Sequence, residues 1–250
     1  MKVAAIQHDI CWHDPEPTHA IVDPMIDEAV EGGASLVVLS EMWATGFSMD
    51  PFAVCQAMDG PSVAFMIDRA ARHGIWVSGS LAIHDDGLAY NRFIAAGPNG
   101  ELVTYDKRHP FSYAGEHKAY SAGADLVSFE VDGLRVTPFV CYDLRFGDDF
   151  WRLGPDTDLF IVVANWPKRR REHWRTLLRA RAIENQCFVV AANRIGHADD
   201  LDYAGDSTII DPFGKVLAEA VDNPSVLLAD VTADEVARIR SQYPFLADRR

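Results

Sequence analysis

Leu134-Arg135-Val136-Thr137-Pro138-Phe139-Val140-Cys141-Tyr142-Asp143-Leu144-Arg145-Phe146-Gly147 decides how the chain is read. Its first seven residues are mostly apolar and stop abruptly at Cys141, where a polar segment begins. A buried strand that opens onto a polar segment leaves its last side chain at a sheet edge, where α/β folds keep their chemistry. A cysteine at that point is open to solvent on one side and backed by a rigid sheet on the other. Asp132-Gly133 just before the run is a hairpin signal and pairs it with a strand over residues 127–131. Pro138 cannot donate to a ladder, so either one flank of the strand is unpaired there or the strand bends.

Outward from this run, strands alternate with helices. Residues 3–6 and 35–39 are apolar strands, the second delivering Ser40-Glu41. Between them, residues 17–31 carry a helical stripe of Val22, Met25, Ile26, Ala29 and Val30, closed by Gly32-Gly33. A second helix opens at Pro61, carries Val63, Met66, Ile67, Ala70 and Ala71, and stops at Gly74. Residues 75–83 are strand-like. Residues 89–96 and 102–105 form a hairpin about Gly97-Pro98-Asn99-Gly100, and its second arm ends in Asp106-Lys107-Arg108-His109-Pro110. Residues 111–124 have no clear period and are expected to be a surface loop.

Beyond Cys141, a short helix is expected over 148–153 and a strand over 159–164 that ends at Asn165-Trp166-Pro167. A basic helix follows over 170–186 with Trp174, Leu177, Leu178 and Ala182 on one face. Further strands fall at 188–192, 208–211, 216–220 and 226–230, and a last helix at 233–241. No linker or low-complexity tract interrupts the chain, so residues 1–250 are expected to form a single domain. Hairpins break the strand–helix alternation, which predicts a mixed sheet, or two packed sheets, with helices outside.

Composition removes several function classes. The net charge of −14 argues against non-specific nucleic-acid binding, which needs clustered Lys and Arg. No apolar run is long enough to span a bilayer, and the first residues lack a signal-peptide pattern, so a cytoplasmic protein is expected. Cys11, Cys55, Cys141 and Cys187 form no CxxC pair, which indicates neither a zinc site nor a disulfide framework.

Three strand-like runs end in reactive residues: Glu41, Lys107 and Cys141. If the strands share a sheet and an edge, the three side chains converge and their chemistry is coherent. A carboxylate takes the thiol proton as sulfur attacks a carbonyl. An ammonium stabilises the developing anion, and the backbone N–H of Tyr142 is a second oxyanion donor. Periodicity alone leaves each residue an ordinary role as core filler, turn residue or surface charge.

Three segments carry a resemblance: residues 40–48 (Ser-Glu-Met-Trp-Ala-Thr-Gly-Phe-Ser), residues 105–109 (Tyr-Asp-Lys-Arg-His) and residues 139–146 (Phe-Val-Cys-Tyr-Asp-Leu-Arg-Phe). In this order the chain resembles the nitrilase, or carbon–nitrogen hydrolase, superfamily. The resemblance extends through Tyr90-Asn91, Ala164-Asn165-Trp166-Pro167 and residues 179–185 to Asp211-Pro212-Phe213-Gly214. It implies an α-β-β-α sandwich of two packed mixed sheets with helices on the outer faces, and a homodimer. It also implies Glu41 as general base, Cys141 as nucleophile, Lys107 as stabiliser of the tetrahedral intermediate, and Glu116 as a supporting second glutamate. No metal or organic cofactor is implied, because the thiol supplies the covalent intermediate.

Thr45-Gly46-Phe47-Ser48-Met49, Lys107-Arg108-His109-Pro110-Phe111 and Glu116-His117 resemble the ω-amidase branch, which hydrolyses amides of α-keto acids such as 2-oxoglutaramate and 2-oxosuccinamate. Aliphatic amidases, N-carbamoyl amidases and nitrilases are the alternatives within the superfamily, and an inactive binding homologue is the alternative outside catalysis. Arg145 is expected either to bind the far carboxylate of such a substrate or to form a structural ion pair. Phe47, Phe111, Tyr113 and Trp166 are candidate pocket walls. Glu184 is expected to tie the basic helix to the sheet. The run Lys168-Arg169-Arg170-Arg171 is expected to be a solvated face, with acids on another element or an anionic substrate as alternatives. Asp199, Asp200, Asp202 and Asp206 are expected in a solvated loop, since their spacing is not that of an EF-hand.

Overall fold

The first strand, β1 (Lys2–Gln7), sorts its side chains by parity. Val3 and Ala5 join one core with residues of a second sheet, whereas Ala4 and Ile6 join another with Val22, Ile26, Val63 and Met66 of two helices. A strand alternates its side chains between faces, so one buried on both faces belongs to the inner layer of a sandwich. The computed structural model describes residues 1–249.

In chain order the remaining elements are α1 (Pro15–Glu31), β2 (Leu36–Val38), α2 (Pro51–Val54), α3 (Pro61–His73), β3 (Trp76–Asp85), β4 (Leu88–Ala96) and β5 (Leu102–Asp106). Then come α4 (Glu116–Ala119), β6 (Phe129–Val131), β7 (Leu134–Val140), α5 (Gly147–Leu153), β8 (Leu159–Ala164) and α6 (Arg171–Asn185). The last are β9 (Phe188–Asn193), β10 (Ile195–Ala198), β11 (Leu201–Ile210), β12 (Val216–Val221), β13 (Ser225–Asp230) and α7 (Ala233–Gln242).

One sheet has the order β13-β1-β2-β3-β4-β5, with β1 to β3 parallel and the other pairs antiparallel. The other runs β10-β11-β9-β8-β7-β6, with β12 also on β11 and β7 to β9 parallel. Helices α1 and α3 cover the first sheet, and Phe150 of α5 with Trp174, Leu178 and Ala182 of α6 pack on the second. The layers are therefore α-β-β-α.

Strand β7, which leads into Cys141, is anchored at Phe139. Its ring is fully buried and stacks on Phe150 at 3.8 Å, with Phe160 at 5.7 Å and Tyr105 at 6.2 Å. Burying such a side chain contributes ~1.5–3 kcal/mol. Pro138 pairs with Ile161 in the parallel ladder, but β6 ends its pairing at Val136. The flank of β7 away from β8 is thus uncovered at Pro138, and no ladder bond is lost.

Several expectations need correction. Ile67 and Ala71 of α3 are exposed; the buried stripe is Val63, Met66 and Ala70. Residues 111–124 are not simply a surface loop, because a 3₁₀ turn over Ser112–Ala114 and the short α4 lie there, and Glu116 and Tyr120 are buried. Nor is 199–206 a solvated loop. Asp199 and Asp200, at φ of 48° and 56°, make the tight turn of a β10–β11 hairpin. Short polar side chains tolerate this left-handed region, and two such residues suit a hairpin turn. Asp206 is buried and paired with Arg171 and Arg175.

Candidate active site

Glu41 lies past the end of β2, in a turn that closes onto β3. Leu39 N donates to Ser78 O at 2.7 Å, Trp43 N to Ser80 O at 3.1 Å and Met42 N to Ser80 Oγ at 2.9 Å. The turn approaches Gly79 so closely that a Cβ there would stand 2.9 Å from Leu39 Cβ. Lys107 follows β5 and is pinned to β4 by its N–H, 3.0 Å from Asn91 O. Cys141 follows β7, in the other sheet. Glu41, Lys107 and Cys141 therefore do not share a sheet, as spacing suggested, but meet across the interface between two.

The centre is a chain of buried charges. Lys107 Nζ donates to Glu41 Oε1 at 2.9 Å and to Glu116 Oε1 and Oε2 at 3.0 and 2.9 Å. All three side chains are essentially inaccessible to solvent. Burial alone would lower the Lys107 pKa, but the charges of Glu116 and then Glu41 hold it well above its ordinary value. Burial raises the Glu116 pKa, with Lys107 opposing and Glu41 adding to the rise. Phe111 N also donates to Glu116 Oε2.

Cys141 is 9% exposed, with a φ of 48°. Such a backbone costs a non-glycine residue about 1–3 kcal/mol and occurs preferentially at functional sites. Burial, then the Glu41 carboxylate, pushes the thiol pKa well above its ordinary value, with Lys107 opposing. The resting group is a thiol, and attack requires a base to take its proton as the new bond forms. Glu41 is the carboxylate whose charge acts most strongly on the thiol.

Asp143 fixes the turn that carries Cys141. Fully buried, it accepts hydrogen bonds from Tyr105 Oη at 2.8 Å, His109 N at 2.9 Å and Val140 N at 3.0 Å. Behind the same turn, Arg181 Nη2 donates to Leu144 O at 2.8 Å while Arg181 Nη1 pairs with Glu184 at 2.7 Å. Glu184 therefore reaches the Cys141 turn through Arg181 of its own helix, and among the described residues it does not pair with the sheet.

A cleft of about 250 Å³ opens above Cys141, lined by Phe47, Phe111, Tyr142, Arg145, Trp166 and Tyr203 among others. It suits a small substrate. Phe47 packs 5.1 Å from Lys107 Nζ, and Trp166 is buried in the wall. Tyr113, 82% exposed, stands at the rim. Arg145 forms no structural ion pair: among the described residues no carboxylate lies within 4.0 Å of it. Its guanidinium lies 4.7 Å over the Trp166 ring and 3.2 Å from His173 Nδ1.

Two asparagines join the centre without having been singled out as site residues. Asn91 Nδ2 donates to Glu41 Oε1 at 2.8 Å and to Glu116 Oε1 at 3.0 Å, while its Oδ1 accepts from Ser80. Asn165 N donates to Glu41 Oε2 at 2.7 Å, and its side chain donates to Glu41 O. Asn165 ends β8 as Cys141 ends β7, so the strand-end criterion applied to β8 would have found it. Asn91 is a polar residue in a buried strand, and its other sequence signal is its place in the Tyr90-Asn91 segment of the resemblance.

An α-β-β-α sandwich with a buried carboxylate, ammonium and thiol at one cleft defines the class: an enzyme that hydrolyses carbon–nitrogen bonds of amides. The chain belongs to the carbon–nitrogen hydrolase family, which it matches over residues 2–241. It is 36% identical to the omega-amidase YafV of Yersinia enterocolitica, over 99% of this chain and 96% of that protein. It is 34% identical to the 2-oxoglutaramate amidase of Bacillus subtilis, over 99% and 97% respectively. Among solved structures, a CN-hydrolase superfamily protein from Xanthomonas campestris, with an arsenic adduct in its active site, superposes with a TM-score of 0.95. That protein is 37% identical, and the match covers 100% of this chain and 97% of it.

Proposed function

We propose that the protein is an ω-amidase that releases ammonia from the terminal amide of a small α-keto acid amide, such as 2-oxoglutaramate or 2-oxosuccinamate. The observation that carries this reading is Arg145. A guanidinium without a carboxylate partner among the described residues opens into the cleft lined by Cys141, with Glu41 and Lys107 buried beside it. A planar fork at one end of a small cleft suits the carboxylate of an acid whose amide reaches the thiol. The names carried by the bacterial relatives support the same substrate class.

In this reading Cys141 Sγ attacks the amide carbon as Glu41 takes its proton. The oxyanion that forms is stabilised by Lys107 Nζ and the backbone N–H of Tyr142; a preorganised donor of this kind is typically worth ~3–4 kcal/mol. The C–N bond breaks as Glu41 returns the proton to nitrogen, and ammonia leaves. Water then attacks the thioester with Glu41 again as base; the C–S bond breaks and the thiol is restored. Glu116 keeps Lys107 charged and aimed while Glu41 changes protonation. Phe47, Phe111 and Trp166 wall the cleft, and Tyr113 stands at its entrance.

The proposal includes a single catalytic domain over residues 1–250, a cytoplasmic location and a homodimer. Four free thiols fit a reducing compartment, and light scattering coupled to size exclusion reads the assembly. Substrate class is tested by ammonia release from 2-oxoglutaramate, an unsubstituted aliphatic amide, a nitrile and an N-carbamoyl amino acid. The keto-acid amide is expected to give the highest kcat/KM. Efficient turnover of another member with none of the keto-acid amide overturns the assignment.

A further inference from the structure

The run Lys168-Arg169-Arg170-Arg171 is not one uniform solvated face. Its two ends are neutralised by acids from other elements: Lys168 Nζ lies 3.5 Å from Asp222, and Arg171 Nη2 lies 2.6 Å from Asp206. Arg175, one turn further on, pairs with Asp206 and Glu219. The two middle residues differ. Among the described residues no carboxylate pairs with Arg169 or Arg170, and both line the cleft above Cys141.

Arg170 is held in place although it lacks a counter-charge. Its guanidinium lies 5.3 Å over the Phe111 ring, and its carbonyl accepts from Trp166 Nε1 at 2.9 Å. It is half-buried, and burial followed by the Arg169 charge lowers its pKa, with Arg145 adding to the effect. Arg145 and Arg169 also border an outer lobe of the cleft that Arg170 shares with Phe111, Tyr113 and Tyr142. Three guanidinium groups, Arg145, Arg169 and Arg170, line the cleft against one carboxylate, Asp199, which leaves a local excess of positive potential there in a chain of net charge −14.

We infer that Arg170 is a specificity-determining residue, which with Arg145 forms a two-guanidinium clamp on the carboxylate end of the substrate. The inference rests on the proposed keto-acid amide reading and deepens it. Arg145, over Trp166, and Arg170, over Phe111, approach the cleft from two different elements. A carboxylate has two oxygens and can accept from both forks. Such a clamp acts on binding and on the register of the amide over Cys141. Stacking on an aromatic face leaves the edge donors of Arg170 free for the ligand, and Arg145 commits only Nη2, to His173.

The test uses the full-length Cys141→Ala protein, which cannot acylate, titrated calorimetrically with 2-oxoglutarate, the expected product. Adding Arg170→Gln is expected to weaken binding about 10- to 100-fold, the range for losing a charge-assisted hydrogen bond. Arg170→Lys keeps the charge without the fork and is expected to fall between. Lys168→Gln, next to the clamp but paired with Asp222, is expected to stay within about threefold. Equal effects of Arg170→Gln and Lys168→Gln overturn the clamp, as does absence of measurable binding. Binding of inorganic phosphate as tight as that of 2-oxoglutarate also overturns it, since that describes a general anion patch. Ammonia release by the wild-type enzyme separates the two proposals. Turnover of 2-oxoglutaramate with Arg170-independent binding sinks only the clamp. Arg170-dependent binding without such turnover sinks only the amidase assignment.

Discussion

Asn91 Nδ2 lies 2.8 Å from Glu41 Oε1, and it donates at the same time to Glu116 at 3.0 Å. Two carboxylates that would otherwise repel are thus joined by a neutral donor as well as by Lys107. Asn91 is itself fixed by Ser80, whose Oγ also takes the N–H of Met42 beside Glu41. Replacing Asn91 with Ala is expected to lower kcat about 10- to 100-fold with little change in KM, because the loss falls on the orientation of the base. Steady-state kinetics checks this, and a change confined to KM would show that Asn91 serves substrate binding.

Glu116 is the foremost of the charges that keep the buried Lys107 ionised, ahead of Glu41. Glu116→Ala leaves a buried ammonium with one partner, and removing one member of a buried pair costs about 3–5 kcal/mol. Urea unfolding of the variant should show that loss. Glu116→Gln preserves the shape and is expected to retain more stability but lose most of kcat.

What periodicity conveys explains which of these contacts could be foreseen. Cys141, Lys107 and Glu41 stand out because each follows an apolar run, and an abrupt stop marks a strand end. Which sheet each run joins is not encoded in a period of two, so the meeting across two sheets was invisible. Glu116 sits in a polar segment without periodicity; its burial is dictated by Lys107, and only the motif resemblance pointed to it. The β10–β11 hairpin was masked because acids break its apolar alternation, and Asp206 is tolerated inside only through Arg171 and Arg175. Asp206 at Arg171 and Asp222 at Lys168 divide the basic run into neutralised ends and a middle without carboxylate partners among the described residues, a distinction that composition does not carry.

Asp143 should give stability a definite dependence on pH. Burial raises its pKa from 3.8 to about 6, against the lowering effects of Lys107 and the Val140 N–H. The folded chain binds this proton more tightly than the unfolded one. The stabilising contribution is therefore complete below the unfolded pKa and is lost as pH rises through the folded value. The group contributes a decline of about 3 kcal/mol across that window. His8, which burial lowers to about 4, acts in the opposite direction in both proteins compared and cancels from their difference. Denaturant midpoints of wild type and Asp143→Asn, measured from about pH 4 to pH 7, are expected to diverge in slope. Parallel profiles would contradict the raised value.

Phe139 ties the Cys141 turn to the core by its stack on Phe150. Phe139→Ala should cost about 3–5 kcal/mol, as large-to-small changes at buried aromatic sites do. Thermal unfolding measures it. An unchanged midpoint would mean that β7 is held mainly by its ladder with β8.

The central claim is that Cys141 carries the acyl group. The most direct measurement is mass spectrometry of protein quenched with acid during turnover of 2-oxoglutaramate, followed by peptide mapping. The predicted result is a 2-oxoglutaryl adduct on the peptide containing Cys141, absent from Cys141→Ala, which also releases no ammonia. Ammonia release by Cys141→Ala at the wild-type rate, or the adduct on another residue, would contradict it.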